Sequence, residues 1–331
     1  MAEKRRGKRT PPRVTVDSLR TLDELIPFRQ HEPQTSRAYK LSKAVLEKFV
    51  GSVWIDQHID KARSGYLRFR ADPPQARETH YMRTILLAEM LYNLQKIKNF
   101  DCCLHELVAG QVESTYAALE IGRMLVTSAA DKGMQFQFVK PSRRRGWSYD
   151  LSITFSDGIR VCAETKCKLE ETQITLKTIQ ESLKIAKKQL PKTQPGFIFV
   201  KVPRFWLDDT KFSRDMIDVA DNFLRRTGRV VSVKYYTASV TYSRDLFGEQ
   251  VGEAIAYREQ SNPHHKFNKL KGRDWNIFPE SALPSRSKRT SPSCAGRGAA
   301  LRLVRCRNGP CTERAVKVAV PPIDDETGSR R

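Results

Sequence analysis

Asp150, Glu164 and Lys166 are the residues of this chain whose types and spacing could do chemistry. Ser156, Asp157 and Gly158 lie between them, and Asp-Gly between alternating runs is a strong hairpin signal. The pattern predicts two strand arms, 149–155 and 159–166. Side chains along a strand repeat every two residues, so Glu164 and Lys166 share a face. Asp150 lies near the open end of the first arm, and the turn returns that end beside Glu164 and Lys166. Two carboxylates and one ammonium then converge at one end of a sheet. Carboxylates in a half-buried strand need a partner, and a hard cation is one that suits them.

The flanking elements must position that cluster. Residues 112–130 predict a helix with Tyr116, Leu119, Met124 and Leu125 on its apolar face. Glu113 and Glu120 are two turns apart on it and share a side. Residues 134–139 alternate as a half-buried strand, and 141–147 form a basic loop leading into the hairpin. After the hairpin, residues 172–190 predict an amphipathic helix with Leu176, Ile179, Leu183, Ala186 and Leu190 inward. Lys177, Lys184, Lys187 and Lys188 occupy its other sides. The run 197–202 suits a strand buried on both faces. A helix over 212–227 and a strand over 230–236 follow, implying a right-handed parallel crossover.

Before this core, residues 15–110 read as a helical subdomain, with helices over 38–50 and 79–100 separated by a break at Asp72-Pro73-Pro74. His58 and His80 lie within it and read as packing or surface residues. Residues 1–14 read as a basic disordered tail and 111–248 as the α/β core. Residues 249–283 form a poorly defined extension, and 284–331 a basic tail with little periodicity.

Lys and Arg number 59 against 37 Asp and Glu, a net charge of +22 that favours a polyanionic partner. Arg143, Arg144 and Arg145 stand just before Asp150, and Lys168, Lys184, Lys187 and Lys188 continue the charge. Such residues grip phosphates with a strong salt dependence and without reading sequence. Trp147 could stack on a base or pack over the hairpin. No phosphate-binding glycine loop or Ser-His-Asp arrangement is present, which disfavours ATP, dinucleotide and serine-hydrolase chemistry. No apolar run reaches a membrane span and no secretory signal is present, so a cytoplasmic location without membrane contact is expected. The seven cysteines do not read as a disulfide scaffold. Cys306 and Cys311 lack the second ligand pair of a zinc site.

The order helix, strand, hairpin, helix, strand, together with Asp150 and the Glu164-Thr165-Lys166 triplet, resembles the PD-(D/E)XK nuclease superfamily, the restriction-endonuclease-like nucleases. The resemblance covers residues 112–202. It departs at Tyr149, where the family pattern has proline, and in the following helix, where Gln180 is followed by Lys184 rather than by the tyrosine of a Q-x-x-x-Y signature. It implies an α-β-β-β-α-β core with a mixed sheet and metal-dependent hydrolysis of phosphodiesters, with DNA as the expected partner. Mg²⁺ or Mn²⁺ would be held by Asp150, Glu164 and the backbone carbonyl of Thr165. Lys166 would orient the attacking water, and Glu120, or Glu113, would supply the leading-helix carboxylate. Two copies could pair to cut both strands. The second reading is a non-catalytic nucleic-acid-binding protein on the same fold.

Overall fold

The computed structural model describes residues 14–27, 34–62, 65–69, 74–129, 133–142, 148–169, 171–173, 175–245, 248–271 and 277. Residues 1–13 and 284–331 of the two basic tails, Arg143–Arg145 and Trp147 lie outside them, as do Cys306 and Cys311. Val14, the last residue of the expected N-terminal tail, is instead buried and bonded through its backbone to Gln95. The described chain is mixed α/β, built on a six-stranded mixed sheet with the strands in sequence order.

Six α-helices come first among the described residues, α1 (Val16–Glu24), α2 (Gln34–Val50), α3 (Ser52–Ile55), α4 (Pro74–Leu94), α5 (Phe100–Val108) and α6 (Val112–Ala129), with a π-helical turn over Asp56–Asp60 after α3. The helix expected over 79–100 ends at Leu94 instead. Asn99, with φ of 64°, turns the chain before α5 starts. Its side-chain amide donates to the Phe138 carbonyl at 2.8 Å, and the Phe138 amide donates to the Lys98 carbonyl at 3.1 Å. The break therefore anchors the first strand, a tertiary reason that helical periodicity does not carry.

Strands β1 (Gln135–Phe138), β2 (Leu151–Thr154) and β3 (Arg160–Cys167) form an antiparallel meander. Helix α7 (Leu176–Gln189) leads to β4 (Gly196–Lys201), which runs parallel to β3. Helices α8 (Arg204–Asp208) and α9 (Thr210–Leu224) lead to β5 (Val230–Asp245), parallel to β4. Residues 112–201 thus run helix, three strands, helix, strand.

All six residues of β4 are buried, because both faces of the sheet are covered. Phe197 and Phe199 join Val161, Ala163, Leu119 and Leu91 in the core beneath the N-terminal helices and α6. Ile198 and Val200 point the other way, onto Leu183 of α7 and Met216 of α9. The N-terminal helices therefore share one apolar core with the sheet.

Strand β6 (Gly248–Ser261) pairs with β5 from Ser232↔Ser261 to Asp245↔Gly248. The boundary read at 248 thus falls within a long hairpin. That hairpin continues past Tyr236, the last β5 residue paired with β4. No described helix is long and apolar enough to cross a membrane.

Candidate active site

The β2–β3 hairpin closes through Gly158, whose φ of 80° suits the left-handed position of a short loop. Asp157 Oδ1 accepts the Ile159 amide at 3.2 Å. Leu151 then faces Ala163 across the ladder. Asp150 extends that ladder by one residue. Its amide donates to the Ala163 carbonyl at 3.1 Å and its carbonyl accepts the Val139 amide at 2.9 Å. The backbone of Asp150 is held from both sides.

Its side chain is held as well. Asp150 Oδ2 accepts both the amide and the hydroxyl of Thr165, each at 2.6 Å. Oδ1 is the oxygen left for a ligand. One period along β3, Lys166 Nζ donates to Glu164 Oε1 at 2.5 Å, so the expected shared face is present. Lys166 also donates to Gln189 Oε1 at 2.6 Å, and Gln189 Nε2 donates to the Ser148 carbonyl at 3.3 Å. The Glu164 side chain is 1% exposed, and its Oε2 has no hydrogen-bond partner.

Asp150, Glu164, Thr165 and Lys166 line one cavity of about 470 Å³, together with Gln189 of α7 and Glu106 of α5. Three carboxylates there face the Lys166 ammonium, and their protonation reflects the imbalance. Burial, then the Asp150 charge, pushes the Glu164 pKa well above the usual carboxylate range, against the pull of Lys166. Burial also raises Asp150, opposed by the Thr165 hydrogen bonds and by Lys166. Glu106 is raised by burial and then by Asp150, against His105. Carboxyls pushed toward neutrality with an orphaned buried oxygen among them form a centre short of positive charge.

The helix glutamates named from the sequence are placed elsewhere. Both oxygens of Glu120 accept Lys201 Nζ at 2.7 Å in a buried ion pair. Lys201 also sits 4.5 and 4.6 Å from the ring centres of Tyr66 and Tyr116. Glu113 Oε1 accepts the Tyr66 amide at 3.3 Å. The two glutamates do share a side of α6, but that side faces Tyr66, and neither lines the cavity. The carboxylate at the site comes from Glu106 on the preceding helix. Its signal in the sequence was the short amphipathic run before Gly110, which lay beyond the helix read there.

Of the basic residues, Lys184 and Lys188 are exposed on α7. Lys187 is turned toward the end of α9, where it donates to the Arg226 carbonyl at 3.2 Å and lies over the Phe223 ring. Lys168 follows β3 half-buried, with its pKa lowered by burial and by Lys166, against Cys167. Arg143, Arg144, Arg145 and Trp147 lie outside the described residues, but Ser142 and Ser148, on either side of them, both line the cavity. Among the described residues no three His, Cys, Asp or Glu side chains are arranged to ligate one ion.

Compared with known proteins, the chain matches no family model, no curated protein and no solved structure.

Proposed function

We propose that the chain is a metal-dependent nuclease with a restriction-endonuclease-like core, hydrolysing phosphodiester bonds in the cytoplasm, with DNA as its expected substrate. The observation that carries this reading is the buried, unpartnered Oε2 of Glu164, set beside Asp150 and Lys166 in one cavity. The element order over 112–201 and the net charge of +22 support it.

The donor set fits a hard divalent cation: Asp150 Oδ1 and Glu164 Oε2 are carboxylate oxygens, and the Thr165 carbonyl is the third ligand the resemblance implies. Mg²⁺ or Mn²⁺ held there would supply a Lewis acid and a template for the phosphate. Thr165 clamps Asp150 through Oδ2, which leaves the carboxylate pointing one way. Lys166 is the basic side chain that reaches the centre, donating to Glu164. Moved from Glu164 onto the substrate, it would hold the attacking water or offset charge growing on the phosphate oxygens. Gln189 keeps Lys166 at this position when Glu164 is otherwise engaged.

The second reading, a non-catalytic nucleic-acid-binding protein, draws on the Lys166–Glu164 ion pair, which neutralises Glu164 from within the chain. Titration calorimetry with Mn²⁺ separates the two. Binding by the wild type that is lost in Asp150→Ala supports the nuclease. No binding by either protein supports the binder.

A further inference from the structure

The cavity wall opposite the hairpin belongs to α6 and the residue before it. Gln111, Ser114, Thr115 and Ala118 recur at three- and four-residue spacing, so one stripe of the helix lines the cavity. The stripe is uncharged, and its first three members can form hydrogen bonds. Thr115 is 2% exposed, and its hydroxyl has no hydrogen-bond partner. A helical threonine commonly turns that hydroxyl onto the carbonyl four residues back. Here the Gln111 carbonyl already accepts the Thr115 amide at 3.1 Å and the Ser114 hydroxyl at 3.3 Å. The first-turn amides of a helix also lack intrahelical partners, and this end of α6 adjoins the cavity.

Two residues lining the cavity therefore carry an orphaned, buried oxygen: Glu164 through Oε2 on the sheet side and Thr115 through Oγ1 on the helix side. A basic wall would grip phosphate on any nucleic acid. A neutral polar wall suits sugar hydroxyls and base edges instead. The cavity, about 470 Å³, falls within the size range of a small-ligand pocket, enough for one nucleotide. Glu164, at 1% exposure, is reached only by a group that enters. A nucleotide in a duplex must leave its stack to do so, whereas one in a single strand is already free.

We infer that Gln111, Ser114 and Thr115 form a subsite for one nucleotide of a single strand, seated against α6 with its phosphate toward Asp150 and Glu164. This rests on the nuclease reading of the cavity and adds the substrate class to it.

Fluorescence anisotropy on the full chain tests it, with Ca²⁺ present. The probes are a short labelled oligothymidylate and a labelled hairpin duplex of equal length. Wild type should bind the single strand at least about tenfold more tightly. Thr115→Val, which keeps the shape and removes the hydroxyl, should weaken single-strand binding about fivefold, the worth of one neutral hydrogen bond. Gln111→Ala should act in the same direction, and hairpin binding should not change in either variant. Equal affinity for the two probes would overturn the subsite. So would wild-type single-strand binding in both variants, whose folding is checked by thermal melts. Single-strand preference with the expected variant losses, but no cutting once Mg²⁺ replaces Ca²⁺, would overturn the nuclease reading and keep the subsite. A duplex cut faster than a single strand would overturn the subsite and keep the nuclease.

Discussion

Glu164 concentrates the conflict on which the site is built. A buried carboxylate beside Asp150 disfavours its own ionised form, and Lys166 offsets only part of that cost. Its folded-state pKa is raised, so the folded protein binds its proton more tightly than the unfolded chain does. The stability this contributes is complete below the ordinary carboxylate pKa and is lost as pH rises through the folded value. Glu164→Gln should therefore flatten the fall in stability with rising pH and raise the melting temperature at neutral pH in metal-free buffer. It should lower cleavage by at least about a hundredfold. Thermal melts across pH, read beside cleavage rates, check both halves. An unchanged pH profile would show that Glu164 is not the strained group. The residues of this centre were legible to different degrees. Asp150, Glu164 and Lys166 follow from a strand period of two and an Asp-Gly turn, both local rules. Gln189 lies at the end of a helix read from its local pattern, but its place in the cavity, like that of Glu106 on α5, depends on how the helix packs against the hairpin, which no local pattern carries.

At the scale of elements, α6 has two polar sides with different work. Periodicity placed Glu113 and Glu120 together correctly, but which neighbour a helix face meets is decided by packing. The side bearing Glu120 meets Lys201 of β4 and Tyr66, while the side bearing Thr115 meets the cavity. Glu120 and Lys201 are 1% and 4% exposed, so removing one partner strands the other charge out of water. Glu120→Ala should cost about 3–5 kcal/mol of stability in chemical denaturation. Adding Lys201→Met should recover much of that loss. Loss of cleavage by Glu120→Ala at unchanged stability would instead make Glu120 part of the reaction centre. The sheet was readable from β1 to the middle of β5, where alternation or continuous burial is strong. Strand β6 was not, since Gly252, Ala254 and Ala256 blur its alternation and its pairing with β5 is long-range.

Among the described residues, apolar cores cover both faces of the sheet, and a polar cavity opens at the end of the β2–β3 hairpin, apart from the buried Glu120–Lys201 pair. The helical N-terminal region shares the core of the sheet and supplies Glu106, so the site depends on the full described fold. Charge makes the same case at long range. On the proposed reading, a chain with net charge +22 would draw polyanions, and a divalent cation at the buried carboxyls would let a phosphate approach them. The direct measurement is cleavage of an end-labelled single strand by the full chain in Mg²⁺ or Mn²⁺, with and without a chelator, beside Lys166→Ala. The account predicts products that need the metal and fall at least about a hundredfold in the variant. Cleavage that survives the chelator, or that is equal in wild type and Lys166→Ala, would contradict it.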